Sequence, residues 1–379
     1  MKRVPVQRTI FALLILLLSI TTPAQRSFTS TYDSTRKVTL EGPVTKVDWV
    51  NPRAFFFMNV RDANGNVFNW AVEFGSAMDL EKNGWKASSL KIGDVVMIEG
   101  VLARGEMKQA FANSVTLKAT GRKLFGPLSR GFVNTAAPAP RWPNSHVRLG
   151  PAPGSKGYWG MASTKVLVEN SAAKVAMNDD GLLANLADID KIAPFKPWAR
   201  AVYEFRQRTL LRDDPLGRCL PPGGPRQFQM PYGFQFIEQP ELGRILVLLG
   251  GGNRNWHVIS IDGRRPAQAS EAVASYYGTS VGRWEGDTLV VDSVGFNEKF
   301  WMTGGGLPHT ESLHLIEKFS RTNLNTMRYE VTVDDPRAYT RRWTGGWTLQ
   351  WVPAEELQEY FCEENADPAF VADRLEERQ

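Results

Sequence analysis

The sequence predicts a mostly β fold, arranged as two β-rich domains joined by a Pro-rich linker. Runs of β-branched and aromatic residues recur along 37–126 and again along 226–362, each bounded by Gly, Asn or Asp. In the second stretch the punctuation returns about every ten residues, the spacing of an antiparallel meander. Strands do not alternate with long helical patterns, so an all-parallel sheet is not expected. Composition agrees: 42% hydrophobic and 22% charged residues, with 33 Gly and 23 Pro in a chain of 379, exclude disorder, collagen-like repeats and a disulfide-dense mini-protein. That length suits about two domains, each able to bury a core.

The N-terminus sets the compartment. Lys2, Arg3 and Arg8 precede an apolar run from Ile10 to Leu18, and Thr22-Pro23-Ala24 ends it. A basic start, a short apolar stretch and small residues before a cut after Ala24 describe a secretory signal peptide over 1–24. The run is shorter than the ~20 residues that span a bilayer, so membrane attachment is expected only if the segment stays uncleaved. A periplasmic or secreted mature protein follows. Cleavage also removes three of the cations behind a formal charge of +5, leaving +2. The basic balance is therefore partly a property of the signal segment, and nucleic acid is not an expected partner. In an oxidising space the two cysteines, Cys219 and Cys362, are expected to pair and to fasten the start of the second domain to its end.

In the first domain, 30–126, Val38, Leu40 and Val44 to Trp49 read as one long strand and Ala54 to Val60 as a second. Asn64-Gly65 closes a hairpin onto Val67 to Phe74. Ser76 caps a short helix, Ala77 to Asn83, which Gly84 stops. Strands Asp94 to Ala103 and Ala110 to Leu117 complete the order three strands, helix, two strands, which is that of an OB-like barrel. Such barrels bind through strands two and three. Here those strands carry Phe55, Phe56, Phe57, Phe68 and Trp70, interleaved with Asn59, Asn69 and Glu73, so an envelope partner docking on this module is one expectation and packing against the second domain the other.

The linker, 127–195, holds Ala136-Ala137-Pro138-Ala139-Pro140, Pro143, Pro151 and Pro153-Gly154-Ser155, with short helical segments suggested by Leu182, Leu183, Leu186 and Ile189. The second domain, 196–365, opens on a helix. Pro197 fits its first turn, Trp198, Val202, Phe205 and Leu210 recur at near-helical spacing, and Asp214-Pro215 ends it. Strands follow over Ile245 to Leu249, His257 to Ile261, Arg283-Trp284 and Leu289 to Asp292 about a Gly286-Asp287 turn, His309 to Phe319, Met327 to Asp334, Arg342 to Trp351 and Leu357 to Phe361. So many antiparallel strands must close or stack to hide their edges, and an antiparallel barrel is expected. Residues 366–379 form a tail.

Three stretches carry a resemblance. They are Trp49-Val50-Asn51-Pro52-Arg53-Ala54 with Asn69-Trp70-Ala71-Val72-Glu73, Asp213-Asp214-Pro215 with Cys219-Leu220-Pro221-Pro222, and Gly282-Arg283-Trp284-Glu285-Gly286-Asp287-Thr288-Leu289-Val290-Val291-Asp292 with Pro308-His309-Thr310-Glu311 and His314. Together they resemble a group of exported bacterial proteins of unknown function, in which His usually stands in the place of Arg53. The resemblance implies a family and no activity. The Gly-Arg-Trp-Glu-Gly-Asp hairpin is also similar to hairpins of lipocalin-like barrels, an analogy of fold alone.

Chemistry is confined to few residues. On a strand running from His309, the pair His309 and Glu311 shares a face with Leu313, Leu315 and Phe319, while His314 points away. An imidazole and a carboxylate on one apolar face suit a hydrogen-bonded general base, and equally a polar clasp at a barrel rim. His257, on a face with Ile259 and Ile261, is the third catalytic candidate. No H-E-x-x-H spacing, G-x-S-x-G elbow, Walker loop or dinucleotide fingerprint appears, so neither metal nor cofactor is expected. Trp343, Trp347 and Trp351 alternate with polar residues and form a row of indoles. With Trp256, Trp284, Tyr232 and Arg264 they are the expected lining of a cavity for a small hydrophobic or aromatic molecule. The expectation is thus an exported protein that binds such a ligand in its second barrel. The alternatives are an acid-base enzyme, whether lyase, isomerase or hydrolase, built on His309 and Glu311, and a structural envelope protein.

Overall fold

The computed structural model describes residues 28–357 and 362, apart from 51–52, 83, 106, 126–136, 144–145, 163, 165, 170–174, 253–254 and 266–271. The expected signal segment, the Asn51-Pro52 dipeptide, the strand residues 358–361 and the tail lie outside them. The fold is mostly β, with two sheets and few helices.

The first sheet follows the expected order. A single helical turn, α1 (Phe28–Thr31), leads into β1 (Tyr32–Asp48), then β2 (Phe55–Arg61), β3 (Val67–Glu73), α2 (Ala77–Lys82), β4 (Val95–Ala103), β5 (Gln109–Leu117) and β6 (Lys123–Phe125). The strands pair as β3-β2-β1-β4-β5-β6, and a parallel β3–β5 contact joins the sheet back on itself. Gly65 sits at φ +88° in the β2–β3 turn, where the Asp62 carboxylate accepts from the Asn64 and Asn66 amides at 2.9 Å each. At Gly42 the long first strand passes so close to β2 that a Cβ would lie 1.8 Å from the Asn59 carbonyl, so only glycine fits. Leu40, Val44, Phe56, Met58, Val72, Val96, Ile98 and Val115 fill the inside.

Nine strands make the second sheet: β7 (Gly157–Trp159), β8 (Phe234–Gln239), β9 (Arg244–Leu249), β10 (Trp256–Ser260), β11 (Thr279–Glu285), β12 (Thr288–Val294), β13 (His314–Asn323), β14 (Thr326–Asp334) and β15 (Trp343–Pro353). They pair in a closed ring, β10 through β15 in sequence and then β7, β8 and β9. Two features depart from the sequence reading. The β10–β11 pair is parallel, so the ring is not wholly antiparallel. And β7 comes from the segment read as linker: its three residues bond to Trp351, Val352 and Pro353 on one side and to Phe234 on the other.

A third departure concerns His309, which precedes the strand: β13 starts at His314. Pro308 has no N–H to give a ladder, and the Asp335 carboxylate takes both the amide and the hydroxyl of Thr310, at 2.6 and 2.8 Å. The backbone is thus committed to a buried loop, in which every residue from Trp301 to Thr310 is buried.

The expected helix forms as α3 (Pro197–Arg208) with Pro197 in its first turn. Its buried face is Ala199, Tyr203 and Gln207, whereas Trp198 and Phe205 are 43% and 57% exposed. Gln207 tolerates burial because its amide donates to the Gly181 and Gly305 carbonyls and accepts from the Leu183 amide. Cys219 and Cys362 form a disulfide across a sequence separation of 143.

Candidate functional site

Alternation along the ring strands decides what faces inward. Leu315, Glu317, Phe319 and Arg321 on β13, Met327, Tyr329, Val331 and Val333 on β14, and Trp343, Trp347, Leu349 and Trp351 on β15 are all buried. The row of indoles therefore does lie inside, but as packed core. Trp347 stacks on Tyr329 with centroids 5.2 Å apart and planes within 11°, and its Nε1 donates to the Val166 carbonyl at 3.0 Å. Trp351 meets Trp159 edge to face at 5.0 Å, and the Arg321 guanidinium lies over both rings. Into the same space the 3-10 turn Gly224–Gln229, buried along its whole length, delivers Phe228, whose ring lies 4.8, 5.3 and 5.0 Å from those of Phe234, Phe319 and Tyr329.

The other expected lining residues do not join them. Trp256 points outward and is 63% exposed. Arg264 stands on an exposed turn, paired with Asp262. Trp284 is half-buried and stacks on His146 at 4.0 Å, and Tyr232 holds a left-handed backbone at φ +71° beside Gly233.

Two polar groups inside the ring carry unusual electrostatics. Glu317 is buried, accepts from the Tyr329 hydroxyl at 2.7 Å, and has no cationic partner among the described residues. Burial pushes its carboxyl up to about 7, against the pull of the Tyr329 bond. A raised carboxyl stabilises the fold fully below its unfolded value of about 4.3 and loses that contribution as pH rises through about 7. Glu317→Gln keeps an acceptor for Tyr329 and removes the charge. Its unfolding free energy relative to the parent is expected to improve by about 3 kcal/mol between about pH 5 and about pH 8. Urea denaturation at the two pH values measures this, and a difference that does not change with pH defeats the assignment.

His257, on the inner face of β10, reaches Ser280 Oγ with Nε2 at 2.7 Å, and Ser280 Oγ lies 2.7 Å from Ser293 Oγ. Its Nδ1 is buried with no hydrogen-bond partner, and burial pushes the imidazole down to about 4. The ring is therefore neutral near pH 7.

The expected His309–Glu311 clasp is not made. His309 is buried in the loop ahead of β13, its Nδ1 3.2 Å from the Thr310 carbonyl and its Nε2 3.1 Å from the Phe300 carbonyl, whereas Glu311 is exposed. Burial lowers the imidazole, against the pull of those carbonyls and of Asp335. His314 does face the other way, as its alternation implies, and bonds Asp292 at 3.0 Å. Among the described residues no three His, Cys, Asp or Glu side chains converge at metal-ligand spacing.

What does gather at His309 is a set the sequence did not single out. Arg206 from α3, Tyr339, and the Asp214–Arg226 ion pair surround the loop. Arg226 donates from two nitrogens to the two oxygens of Asp214, and Tyr339 donates to the Pro308 carbonyl at 2.7 Å. Of these only Asp214 belonged to a quoted motif; arginines on a helix or a turn carry no signal that separates burial from a solvated face.

The first sheet has its own buried cluster, built from both of its quoted motifs. Arg53 grips Glu73 with Nε at 2.8 Å and Nη2 at 2.7 Å, Tyr32 donates to Glu73 at 2.6 Å, and Gln109 donates to the Tyr32 hydroxyl at 2.8 Å. Burial alone would lower the Arg53 guanidinium; the Glu73 carboxylate overcomes it and keeps the group charged. Nearby, Asp180 accepts from the amide and hydroxyl of Thr29 at 2.7 and 2.6 Å, tying the entry of the first sheet to the segment before α3. Lys108 lies over Phe68 and Trp70, at 4.6 and 5.6 Å.

A family model matches residues 14–111, the stretch that holds Tyr32, Arg53, Glu73 and Gln109. This stretch is similar to a family of unknown function (DUF6152). The match ends before the ring begins. No curated protein matches the chain.

Proposed function

We propose that the protein is an exported, non-catalytic envelope protein. In this reading an OB-like module over 30–126 and a lipocalin-like barrel over 196–365, completed by β7 from the linker, meet partners through their outer surfaces. The packing of the ring interior carries the reading. Where an apolar ligand would sit in a small barrel, Phe228, Phe319, Tyr329 and Trp347 already touch one another. The disulfide fits an oxidising compartment, and with the signal-like N-terminus supports periplasmic or secreted location. The pairing of the first sheet, with its parallel β3–β5 contact, supports the OB-like assignment. An acid-base enzyme at His309 and Glu311 has no geometric support, because the two side chains do not meet.

Titration of the mature protein with small apolar and aromatic compounds, read by Trp fluorescence, tests this. The expected result is no saturable change from the ring indoles. A saturable quench that Phe228→Trp abolishes, by filling the same space further, overturns the reading and restores an interior ligand.

A further inference from the structure

The geometry points to a carboxylate-binding site on Arg206, at the C-terminal end of α3. The guanidinium lies over the Trp301 ring, 4.4 Å from its centroid, and its Nη1 donates to the Gly306 carbonyl at 2.9 Å. Among the described residues it makes no further hydrogen bond and no ion pair. The acid that acts on it most is Asp214, whose two oxygens are both taken by Arg226. A guanidinium set in this way has one edge occupied by Nη1. The opposite edge, Nε–H and Nη2–H, is left as a pair of parallel donors. That fork matches the two oxygens of a carboxylate, side by side and in plane.

Surroundings favour an anion there. Arg206 is half-buried and largely desolvated, and burial brings its guanidinium down to about 10. A desolvated cation without a counter-ion is costly, and a bound anion removes the cost. One turn earlier on the same helix, the Tyr203 hydroxyl is buried with no hydrogen-bond partner among the described residues.

The walls are apolar. Trp301 belongs to a small cluster with Leu182, Leu210 and Leu211, separate from the ring core. Leu210 and Leu211 both hold left-handed backbone, at φ +55° and +58°, a conformation that strains residues with a Cβ. The Leu211 amide bonds back to the Arg206 carbonyl at 2.8 Å, and the strained turn brings the Leu211 side chain against Gly306 and Trp301. Arg206 is thus a charged fork at the margin of an apolar cluster in which Trp301, Leu182 and Leu211 are buried and Leu210 is half-buried. The ligand class is a small carboxylate carrying an apolar or aromatic body. This site lies outside the ring interior, so it stands whether or not the ring itself binds anything.

The test is thermal denaturation of the full mature protein with benzoate at constant ionic strength, compared with benzamide and with inorganic phosphate. Benzoate is expected to raise the melting temperature in a saturable manner, while the uncharged benzamide and phosphate do not. Arg206→Met is expected to abolish the benzoate effect. Arg206→Lys, which keeps the charge and loses the parallel donors, is expected to weaken it about tenfold and covers the case in which the Met variant does not fold. No benzoate shift, an equal shift with benzamide or with phosphate, or an undiminished shift in Arg206→Lys overturns the site.

Discussion

Phe228→Ala is expected to destabilise the protein by ~3–5 kcal/mol, the range for deleting a fully enclosed phenyl ring. The size of the loss discriminates between two pictures of the ring. Phe228 is 1% exposed, three aromatic rings lie within 5.3 Å of it, centroid to centroid, and its carbonyl accepts from the Ala162 amide at 2.9 Å. Truncation in a packed interior leaves a void whose walls come from β8, β13 and β14, and strands bonded on both sides cannot move in to close it. If the same ring projected into an open ligand cavity, one side of it would have no partners to lose. The loss would then fall toward the ~1 kcal/mol of an ordinary substitution. Guanidinium denaturation of the parent and the variant reads the difference directly. A loss below about 1.5 kcal/mol contradicts the packed interior.

Removing the disulfide, as Cys219→Ser with Cys362→Ser, should cost up to about 5 kcal/mol, because a loop of this length is costly to close in the unfolded chain. The bridge closes 143 residues, a segment that includes β8 to β15. Cys219 follows the 3-10 turn Pro215–Arg218 and holds φ +58°, and Cys362 is 1% exposed, so the bond is enclosed as well as long-range. Denaturant midpoints with and without reductant, and for the double Ser variant, should move together and in the same direction. An unchanged midpoint in both would show that the ring is closed by its strand pairing alone.

Much of the fold was legible because it is local. Strands β2 to β5 of the first sheet were placed within a few residues, since each is long enough for its alternation to register and Asn64-Gly65 imposes a turn, whereas β1 starts at Tyr32, ahead of the Val38 at which it was read, and the three-residue β6 was not expected. By contrast β7 spans only Gly157–Trp159, too short for any periodicity, and it becomes a strand because β15 and β8 present edges to it. His309 illustrates the opposite error. His309 and Glu311 alternate as a strand would, but Asp335, 25 residues beyond Thr310, captures the backbone first. On α3 the apolar stripe through Trp198 and Phe205 was visible, whereas the buried stripe through Gln207 depends on carbonyls of Gly181 and Gly305.

The same division holds for the sites. Arg53 and Glu73 were within reach, being members of two quoted motifs, one just ahead of β2 and the other on β3. Arg206 was not, because its desolvation comes from Trp301, a residue far away in sequence that a loop lays against the helix. The indoles of β15 show the boundary most plainly. Their alternation alone determined that they share a face, as periodicity determined the β class and the place of most strands; the cysteine pairing followed instead from the export signal and the count of two cysteines. Whether that face lines a cavity or a core was decided only in three dimensions, by Phe228 arriving from a turn with no signal in its own composition. Periodicity reports which side chains point together; what fills the space they point into is a matter of volume, and volume is settled by segments distant in the chain.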